Sequence, residues 1–425
     1  MKKSISIILV IMLLCTYSFS FAQDLNLSGE SAILMDYDTL EILYEKNSHL
    51  KLYPASTTKT MTAILAIELG NLNDVIQVDE EVIKLTKGSH IALDYDEEMT
   101  LEDLLHALLI QSANDAALAI GKYVSGSVDG FVKLMNEKAV EIGALNTNFV
   151  NPNGLHNDEH VSTAYDMALI GKYAMDKELF RNIVKKPTYV IGPTNKKTES
   201  RTLRSTNMFI LGNENINYEG KTVPIKMDGV LGGKTGYTPQ AQNCLITVTE
   251  RDNRRLLTVV LKSSGKEVYA DTHKLVNYGL DNFQNATLGY SNEFMGNFQL
   301  EGATIPFVAG VLDKDFSYPI LTENIGKVEK KTIIKTDLEL PISQGAVLGT
   351  SEYYLNGKLL GSSNIVSTAD VTPTPSPTLI SIILKHWYIG VFAFLIAIRI
   401  VTLSASRKNR IRRKRERSIY SYTIK

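Results

Sequence analysis

Cysteine is nearly absent from this chain of 425 residues, which contains only Cys15 and Cys244. Cys15 lies in an N-terminal apolar segment that we predict to be removed. The mature chain then keeps one cysteine, which excludes an intrachain disulfide and leaves stability to apolar cores. Because Cys244 begins the apolar run 244–248, we interpret it as a small buried side chain rather than a nucleophile.

Positive charge is scarce in the central part of the chain, although the formal net charge of the whole sequence is only −1. Of the 45 basic residues, nine fall in the tail 404–425, two follow Met1, and Lys385 and Arg399 interrupt an apolar stretch near the C-terminus. Residues 23–378 therefore carry 32 basic against 45 acidic side chains, a net charge of −13. Such a surface repels phosphates, so we expect no nucleic-acid partner.

The sequence also lacks a convincing metal or nucleotide motif. His156 and His160 are four residues apart, but Glu159 directly precedes the second histidine, whereas a zinc-protease helix has its glutamate directly after the first. Segment 229–235 resembles a phosphate-binding loop, yet Asp228 occupies the position of the required first glycine. We therefore expect neither a metal nor a cofactor.

Both ends of the chain have the composition of membrane-directed segments. Residues 1–22 combine a basic start, a short apolar run and small residues at the end, which predicts a secretory signal peptide cleaved after Ala22. The apolar stretch 379–403 is long enough, about 37 Å as a helix, to span a membrane, and the basic tail 404–425 would stay cytoplasmic. We predict an exported, single-pass membrane protein; an interfacial helix is the alternative for 379–403.

Two regions of different composition lie between these ends. Residues 23–283 mix helical and strand-like segments and finish with a predicted helix over 266–283. Residues 284–370 contain short strand-like pieces separated by turn residues, which is typical of a small all-β domain. The Pro-rich segment 371–378 is predicted to be an extended linker.

A serine and a lysine lie at the start of one predicted helix. Pro54 in its first turn and Gly70 just after Leu69 occupy the usual positions for these residues. Ser56 and Lys59 are three residues apart and share a face of this helix. Serine needs a base to become a nucleophile, and lysine can serve if burial and a nearby positive charge lower its pKa. This spacing alone also occurs by chance in many proteins.

Two further motifs follow. Thr100 and Asp103 look like the capping box of a helix, after which Ser112 and Asn114 fall on a short connection to the next helix. Capping that next helix is an alternative role for both residues. Segment 232–236 precedes a predicted strand pair and offers a cation, a hydroxyl and a glycine that lets a substrate backbone come close.

In this order the motifs resemble the S-x-x-K, S-x-N and K-T-G set of penicillin-binding proteins and serine β-lactamases. The longer matches resemble low-molecular-mass penicillin-binding proteins of the D-alanyl-D-alanine carboxypeptidase family, and they cover 53–62, 111–117, 149–155 and 234–238. The resemblance implies an α+β fold: a β-lactamase/transpeptidase-like domain with helices flanking an antiparallel sheet, then a small all-β domain and a C-terminal transmembrane helix. Gln242 departs from the family, which usually has glycine there.

The resemblance also implies a role for each motif residue. Ser56 would attack the carbonyl between two D-alanines, Lys59 would take its proton, and Ser112 would relay a proton to the leaving D-alanine. Among the implied substrate-binding residues, Asn114 would bind the substrate amide, and Lys234 and Thr235 would bind the terminal carboxylate. Gly236 and Tyr237 would lie beside the reacting carbonyl. The backbone N–H groups of Ser56 and Tyr237 would form the oxyanion hole there. Lys234 would also help to keep Lys59 deprotonated.

The implied activity is removal of the terminal D-alanine from peptidoglycan stem peptides, outside the cell, without a cofactor. β-Lactam antibiotics would acylate the same serine. Two alternatives remain open: a D,D-endopeptidase that acts on cross-links, and a non-catalytic penicillin-binding scaffold. The trailing β domain and the anchor favour the carboxypeptidase, and the intact set of reactive side chains argues against the scaffold.

Overall fold

The computed structural model describes residues 24–212 and 214–420, with side chains as far as residue 415. The predicted signal peptide, 1–22, and the end of the basic tail lie outside these residues. The chain forms two compact units: one is the chain up to Leu288 together with Ser317–Val328, and the other is Gly289–Phe316 and the chain from Glu329 onward. The sequence analysis assigned Ser317–Val328 to the all-β domain.

Strands and helices alternate irregularly in the first unit. Its strands are β1 (Ser31–Asp36), β2 (Ile42–Lys46), β3 (Val75–Gln77), β4 (Glu98–Thr100), β5 (Thr188–Ile191), β6 (Arg201–Arg204), β7 (Asn215–Tyr218), β8 (Lys221–Pro224), β9 (Val230–Thr238), β10 (Gln242–Arg251) and β11 (Arg254–Ser263). Its helices are α1 (Lys59–Leu69), α2 (Glu80–Leu85), α3 (Leu101–Ile110), α4 (Asn114–Ser125), α5 (Val128–Ile142), α6 (Ala164–Asp176), α7 (Glu178–Val184), α8 (Met208–Leu211) and α9 (Glu267–Asn282). A 3₁₀ turn, Ala55–Thr58, leads directly into α1.

A five-stranded antiparallel sheet, in the order β2-β1-β11-β10-β9, forms the centre of this unit. All six residues of β1 are buried, because helices cover both faces of the sheet. Ile33 and Met35 belong to the core that contains α1, α3, α4 and α6, whereas Ala32 and Leu34 belong to the core that contains α9. Since neighbouring side chains on a strand point to opposite faces, a strand that is covered on both faces has consecutive apolar residues, as β1 has over 32–35. The predicted antiparallel sheet flanked by helices is confirmed.

Local signals placed several element boundaries correctly. The side chain of Thr100 accepts a hydrogen bond from the Asp103 N–H at 3.1 Å and so caps α3, as the capping box predicts. The helix predicted over 266–283 is α9. Gln242 has a φ of 51°, a left-handed conformation that glycine adopts more easily, which explains physically why a glycine suits this position.

The second unit contains most of the predicted all-β domain. β12 (Phe283–Gly289) pairs with β15 (Phe316–Leu321), and all but one end residue of each of these two strands belongs to the first unit. The sheet of the second unit consists of β13 (Phe294–Gln299), β14 (Phe307–Leu312), β16 (Glu329–Ile334), β17 (Val347–Leu355) and β18 (Lys358–Ser367), in the order β13-β14-β18-β17-β16. Phe298, Leu348 and Ile365 belong to its small core. Val371 pairs with Ile342, and the Thr374 N–H donates to the Gly302 carbonyl, so the start of the predicted linker is bound to this domain.

Two helices follow, α10 (Leu379–Lys385) and α11 (Trp387–Tyr420). The sequence predicts one helix over 379–403, whereas in the structure the first helix ends at Lys385 and the second continues well beyond residue 403. Among the described residues, Trp387–Arg415 is long and apolar enough to cross a membrane, judged by length and composition, and none of it is buried against the rest of the chain.

Candidate active site

Ser56 lies in the 3₁₀ turn before α1, and two glycines let neighbouring segments pack against this turn. A Cβ atom on Gly236 of β9 would lie 2.9 Å from the Ser56 nitrogen. A Cβ atom on Gly154 would lie 1.9 Å from the Ala55 carbonyl oxygen. Ala55 itself has a φ of 49°, a strained conformation for alanine that the surrounding contacts must maintain. β9 and segment 151–155 therefore hold Ser56 from two sides.

Lys59 lies one helical turn after Ser56 and is fully buried. Its Nζ atom is 2.9 Å from Ser56 Oγ, 2.6 Å from Asn114 Oδ1 and 2.6 Å from the Asn153 carbonyl oxygen. The two carbonyl oxygens can only accept hydrogen bonds, so they occupy both N–H groups of a neutral amine. The remaining lone pair then faces the Ser56 hydroxyl, which can donate to it.

The surroundings of Lys59 favour this neutral form. Burial, and next the positive charge of Lys234, lower the pKa of Lys59 well below its usual value, while the Asp115 carboxylate partly opposes them. The Asp115 carboxylate is occupied elsewhere, because it accepts hydrogen bonds from the backbone N–H groups of Ile91 and Leu93. An uncharged lysine beside a serine hydroxyl can accept its proton.

Lys234 and Ser112 form a second contact in the site. Lys234 lies on β9, and burial lowers its pKa to about 7. Its Nζ atom donates to Ser112 Oγ at 2.9 Å and to the Thr235 carbonyl at 2.8 Å. Ser112 is the middle residue of the connection 111–113 between α3 and α4 and has a φ of 60°, a conformation uncommon for serine. Because its oxygen accepts from Lys234, its own hydrogen can point into the cleft.

Asn114 is already engaged at both ends of its amide. Its Oδ1 accepts from Lys59, and its Nδ2 donates to the Lys87 carbonyl at 2.5 Å. Its backbone N–H also donates to the Ser89 carbonyl at 2.7 Å. The side chain therefore orients Lys59 and ties down the loop around Gly88, which leaves one Nδ2 hydrogen for a substrate amide.

A cleft of about 580 Å³ opens onto these groups. Five of the predicted residues line it: Ser56, Ser112, Thr235, Gly236 and Tyr237. Lys59, Lys234 and Asn114 lie behind it and contact the lining residues Ser56, Ser112 and Ser89, respectively. The structure therefore brings all eight predicted residues together.

The sequence analysis missed several residues of this cleft. Gly88, Ser89, Thr206, Met208, Lys266 and Tyr269 also line it. Thr206 Oγ1 lies 2.6 Å from Thr235 Oγ1. No carboxylate occurs among the described lining residues, and this lack of negative charge suits an anionic ligand. The missed residues come from loops and from the helices α8 and α9, whose sequences carry no catalytic motif. Asn153, whose carbonyl contacts Lys59 behind the cleft, did carry a signal, because it falls in the matched segment 149–155.

Cys244 also borders the cleft but is 1% exposed, and burial raises the pKa of its thiol to about 12. A thiol with that pKa is protonated and poorly nucleophilic at neutral pH. The interpretation of Cys244 as a small buried side chain agrees with this environment.

Among the described residues, no group of three His, Cys, Asp or Glu side chains could hold a metal ion.

Comparisons with known proteins extend over nearly the whole chain. Residues 18–265 match the family described as D-alanyl-D-alanine carboxypeptidase, and residues 283–373 match the family described as penicillin-binding protein 5, C-terminal domain. The D-alanyl-D-alanine carboxypeptidase DacF of Bacillus subtilis (strain 168) is 32% identical over 405 residues, which cover 91% of this chain and 99% of the relative.

Two further proteins bear on the fold and the activity. The D-alanyl-D-alanine endopeptidase of Escherichia coli (strain K12) is 29% identical over 278 residues, 61% of this chain and 80% of that protein. The crystal structure of penicillin binding protein 5 from Haemophilus influenzae has a TM-score of 0.65 at 26% identity, and covers 81% of this chain and 98% of that chain. The chain therefore belongs to the D-alanyl-D-alanine carboxypeptidase family and is a serine-type carboxypeptidase, a hydrolase.

Proposed function

We propose that Ser56 is the nucleophile of this carboxypeptidase and that Lys59 is its general base. The contact of 2.9 Å between Ser56 Oγ and Lys59 Nζ carries the proposal, since the amine is buried and its pKa is lowered. Lys59 takes the serine proton while Oγ bonds to the carbonyl carbon of the D-Ala–D-Ala peptide. The C–N bond then breaks, and the leaving amine receives a proton through Ser112.

The same site has groups for each charge that the reaction handles. The backbone N–H groups of Ser56 and Tyr237 stabilise the negative oxygen of the tetrahedral intermediate. Thr235 and Lys234 bind the terminal carboxylate, and the absence of carboxylates among the described lining residues supports this assignment. Asn114 offers its remaining Nδ2 hydrogen to the substrate amide.

Water completes the reaction by attacking the acyl-enzyme ester. A C–O bond forms to the carbonyl carbon, the ester bond to Ser56 Oγ breaks, and the serine recovers its proton through Lys59. A β-lactam ring opens by the same attack on its amide, but its amine stays attached to the acyl group. The leaving group therefore cannot diffuse away, and the serine remains acylated.

We infer that the substrates are peptidoglycan stem peptides outside the cytoplasm and that the chain is anchored by its C-terminal helix. The acidic charge of residues 23–378, the predicted signal peptide and the apolar segment Trp387–Arg415 support this location. The Arg-rich end of this segment, residues 407–415, suits the cytoplasmic side.

A D,D-endopeptidase activity is the second candidate, because one relative has that name. That relative covers 61% of this chain, whereas the carboxypeptidase DacF covers 91%, including the all-β domain. The more complete match favours the carboxypeptidase. Incubating the protein with a cross-linked peptide dimer and with a pentapeptide stem distinguishes the two activities by their products.

The central experiment compares Ser56→Ala with the wild-type protein. We expect the variant to lose both D-alanine release from a pentapeptide stem and covalent labelling by penicillin, while its melting temperature changes little. Ser89→Ala is the matched control, because Ser89 lines the same cleft but its hydroxyl donates to the Gln111 carbonyl. Labelling of the Ser56→Ala protein would show that another residue is the nucleophile.

A further inference from the structure

His160 lies behind the active site, 2% exposed, and connects two segments of the chain. Its Nδ1 atom is 3.0 Å from the backbone nitrogen of Val150, and its Nε2 atom is 2.8 Å from Thr58 Oγ1. A backbone N–H can only donate, so Nδ1 must accept the hydrogen bond from Val150. The ring hydrogen is therefore on Nε2, from which it is donated to the Thr58 hydroxyl.

The two segments that His160 joins are the ones that hold the general base. Thr58 directly precedes Lys59. Val150 begins the segment whose Asn153 carbonyl lies 2.6 Å from Lys59 Nζ and 3.4 Å from Ser56 Oγ. The ring therefore links the backbone that carries Lys59 to the backbone that supplies one of its two carbonyl partners.

His160 keeps the protonation state that this connection needs. Burial is the largest cause that lowers the pKa of His160 to about 4, so the ring is neutral near neutral pH. A protonated ring would present an N–H group to the Val150 N–H group and break the contact.

We propose that His160 is a positioning residue for the general base: by joining Val150 to Thr58, it holds the Asn153 carbonyl against Lys59 Nζ and so directs the lone pair of Lys59 toward Ser56. This inference rests on the roles proposed above for Ser56 and Lys59. His160 does not line the cleft, so its effect falls on the rate of acylation and not on the binding of the substrate.

Three substitutions separate the two hydrogen bonds of the ring. His160→Asn places an amide oxygen near the position of Nδ1 and retains the bond from Val150. His160→Gln places its amide near the position of Nε2 and retains only the contact with Thr58. His160→Phe keeps the ring volume, including the packing against Phe149, and retains neither bond.

The readouts are the acylation rate constant at saturating labelled penicillin, the dissociation constant of the non-covalent complex, and the melting temperature. A displacement of 1 Å at a reacting group can cost about 10²-fold in rate. We expect the Gln and Phe variants to lose at least about tenfold in acylation, the Asn variant to stay within about threefold of wild type, and all dissociation constants to stay within about threefold.

Normal acylation in both the Gln and Phe variants would overturn the positioning role. Equal losses in the Asn and Gln variants, in step with their melting temperatures, would assign His160 to packing alone and also overturn it. If the Phe variant does not fold, the comparison of Asn with Gln decides the question. Failure of the wild-type protein to be acylated would instead contradict the proposed function, so the two failures are distinguishable.

Discussion

Replacing Lys59 by methionine should remove most of the acylation activity without unfolding the protein. Methionine has a similar length and is apolar, so it fits a fully buried position but cannot accept the proton of Ser56. General-base catalysis typically contributes ~10²–10⁴-fold, which corresponds to about 3–5 kcal/mol at 1.36 kcal/mol for each factor of ten. We expect a loss of acylation rate in this range.

The change should also lower the free energy of unfolding, but not enough to unfold the protein. Lys59→Met leaves Asn114 Oδ1 and the Asn153 carbonyl without their donor, and an unsatisfied buried acceptor costs about 1–3 kcal/mol. The same change removes a buried amine whose charged form is unfavourable there, which offsets part of that cost. The melting temperature therefore shows whether the variant is folded when its activity is measured.

The pH dependence distinguishes loss of a base from loss of packing. The pKa of Lys59 is lowered, so wild-type acylation at saturating penicillin should rise with pH as the amine loses its proton, and level off well below pH 10.5. The Lys59→Met protein has no such group, and its residual rate should lack this rise. Rates of covalent labelling by fluorescent penicillin across the pH range provide the measurement.

Lys59→Arg is the matched control, because it keeps a positive charge that is never lost near neutral pH. It should acylate as slowly as the Met variant. Acylation of the Met variant within tenfold of wild type, or an unchanged rise with pH, would refute the assignment of Lys59 as the base. A fast Arg variant would show that charge, and not proton transfer, is what the position supplies.

Three other perturbations follow from the structure. Burial lowers the pKa of Lys234 from 10.5 to about 7, so between these values the unfolded chain binds a proton that the folded chain lacks, and wild-type stability should rise with pH across that window. Lys234→Met should reduce this rise to the part that the buried Lys59 contributes, and should gain most over wild type at or below pH 7, as measured by melting temperature against pH. Gln242→Gly should raise the free energy of unfolding by up to about 1 kcal/mol, because glycine adopts the left-handed conformation of this position without strain. The greater entropy of glycine in the unfolded chain opposes this gain. A lower melting temperature would contradict this reasoning. A chain that ends after Pro377 keeps the contacts of Val371 and Thr374, so its kcat/KM on a soluble peptide should stay within about tenfold of wild type. It should lose activity on cell-wall peptidoglycan, because it is no longer confined to the membrane. A larger loss on the soluble peptide would show that the C-terminal helix shapes the active unit.

Local patterns in the sequence were enough to predict the features that depend on near neighbours. Thr100 and Asp103 predicted a helix start because capping involves groups three residues apart, and the structure shows that bond. The three-residue spacing of Ser56 and Lys59 predicted a shared side of the chain for the same reason, and their side chains are in contact. The order of the three motifs was sufficient to predict the family and therefore the class of fold.

Contacts between distant parts of the chain were decided only by the tertiary structure. Lys59 meets the Asn153 carbonyl across 94 residues, and Lys234 meets Ser112 across 122 residues. Neither the burial that lowers the pKa of both lysines nor the place of His160 between Thr58 and Val150 has a local signature. The physical reason is that desolvation and hydrogen bonding depend on which groups the fold brings within a few ångströms, whereas sequence spacing determines geometry only within a helix, a turn or a strand.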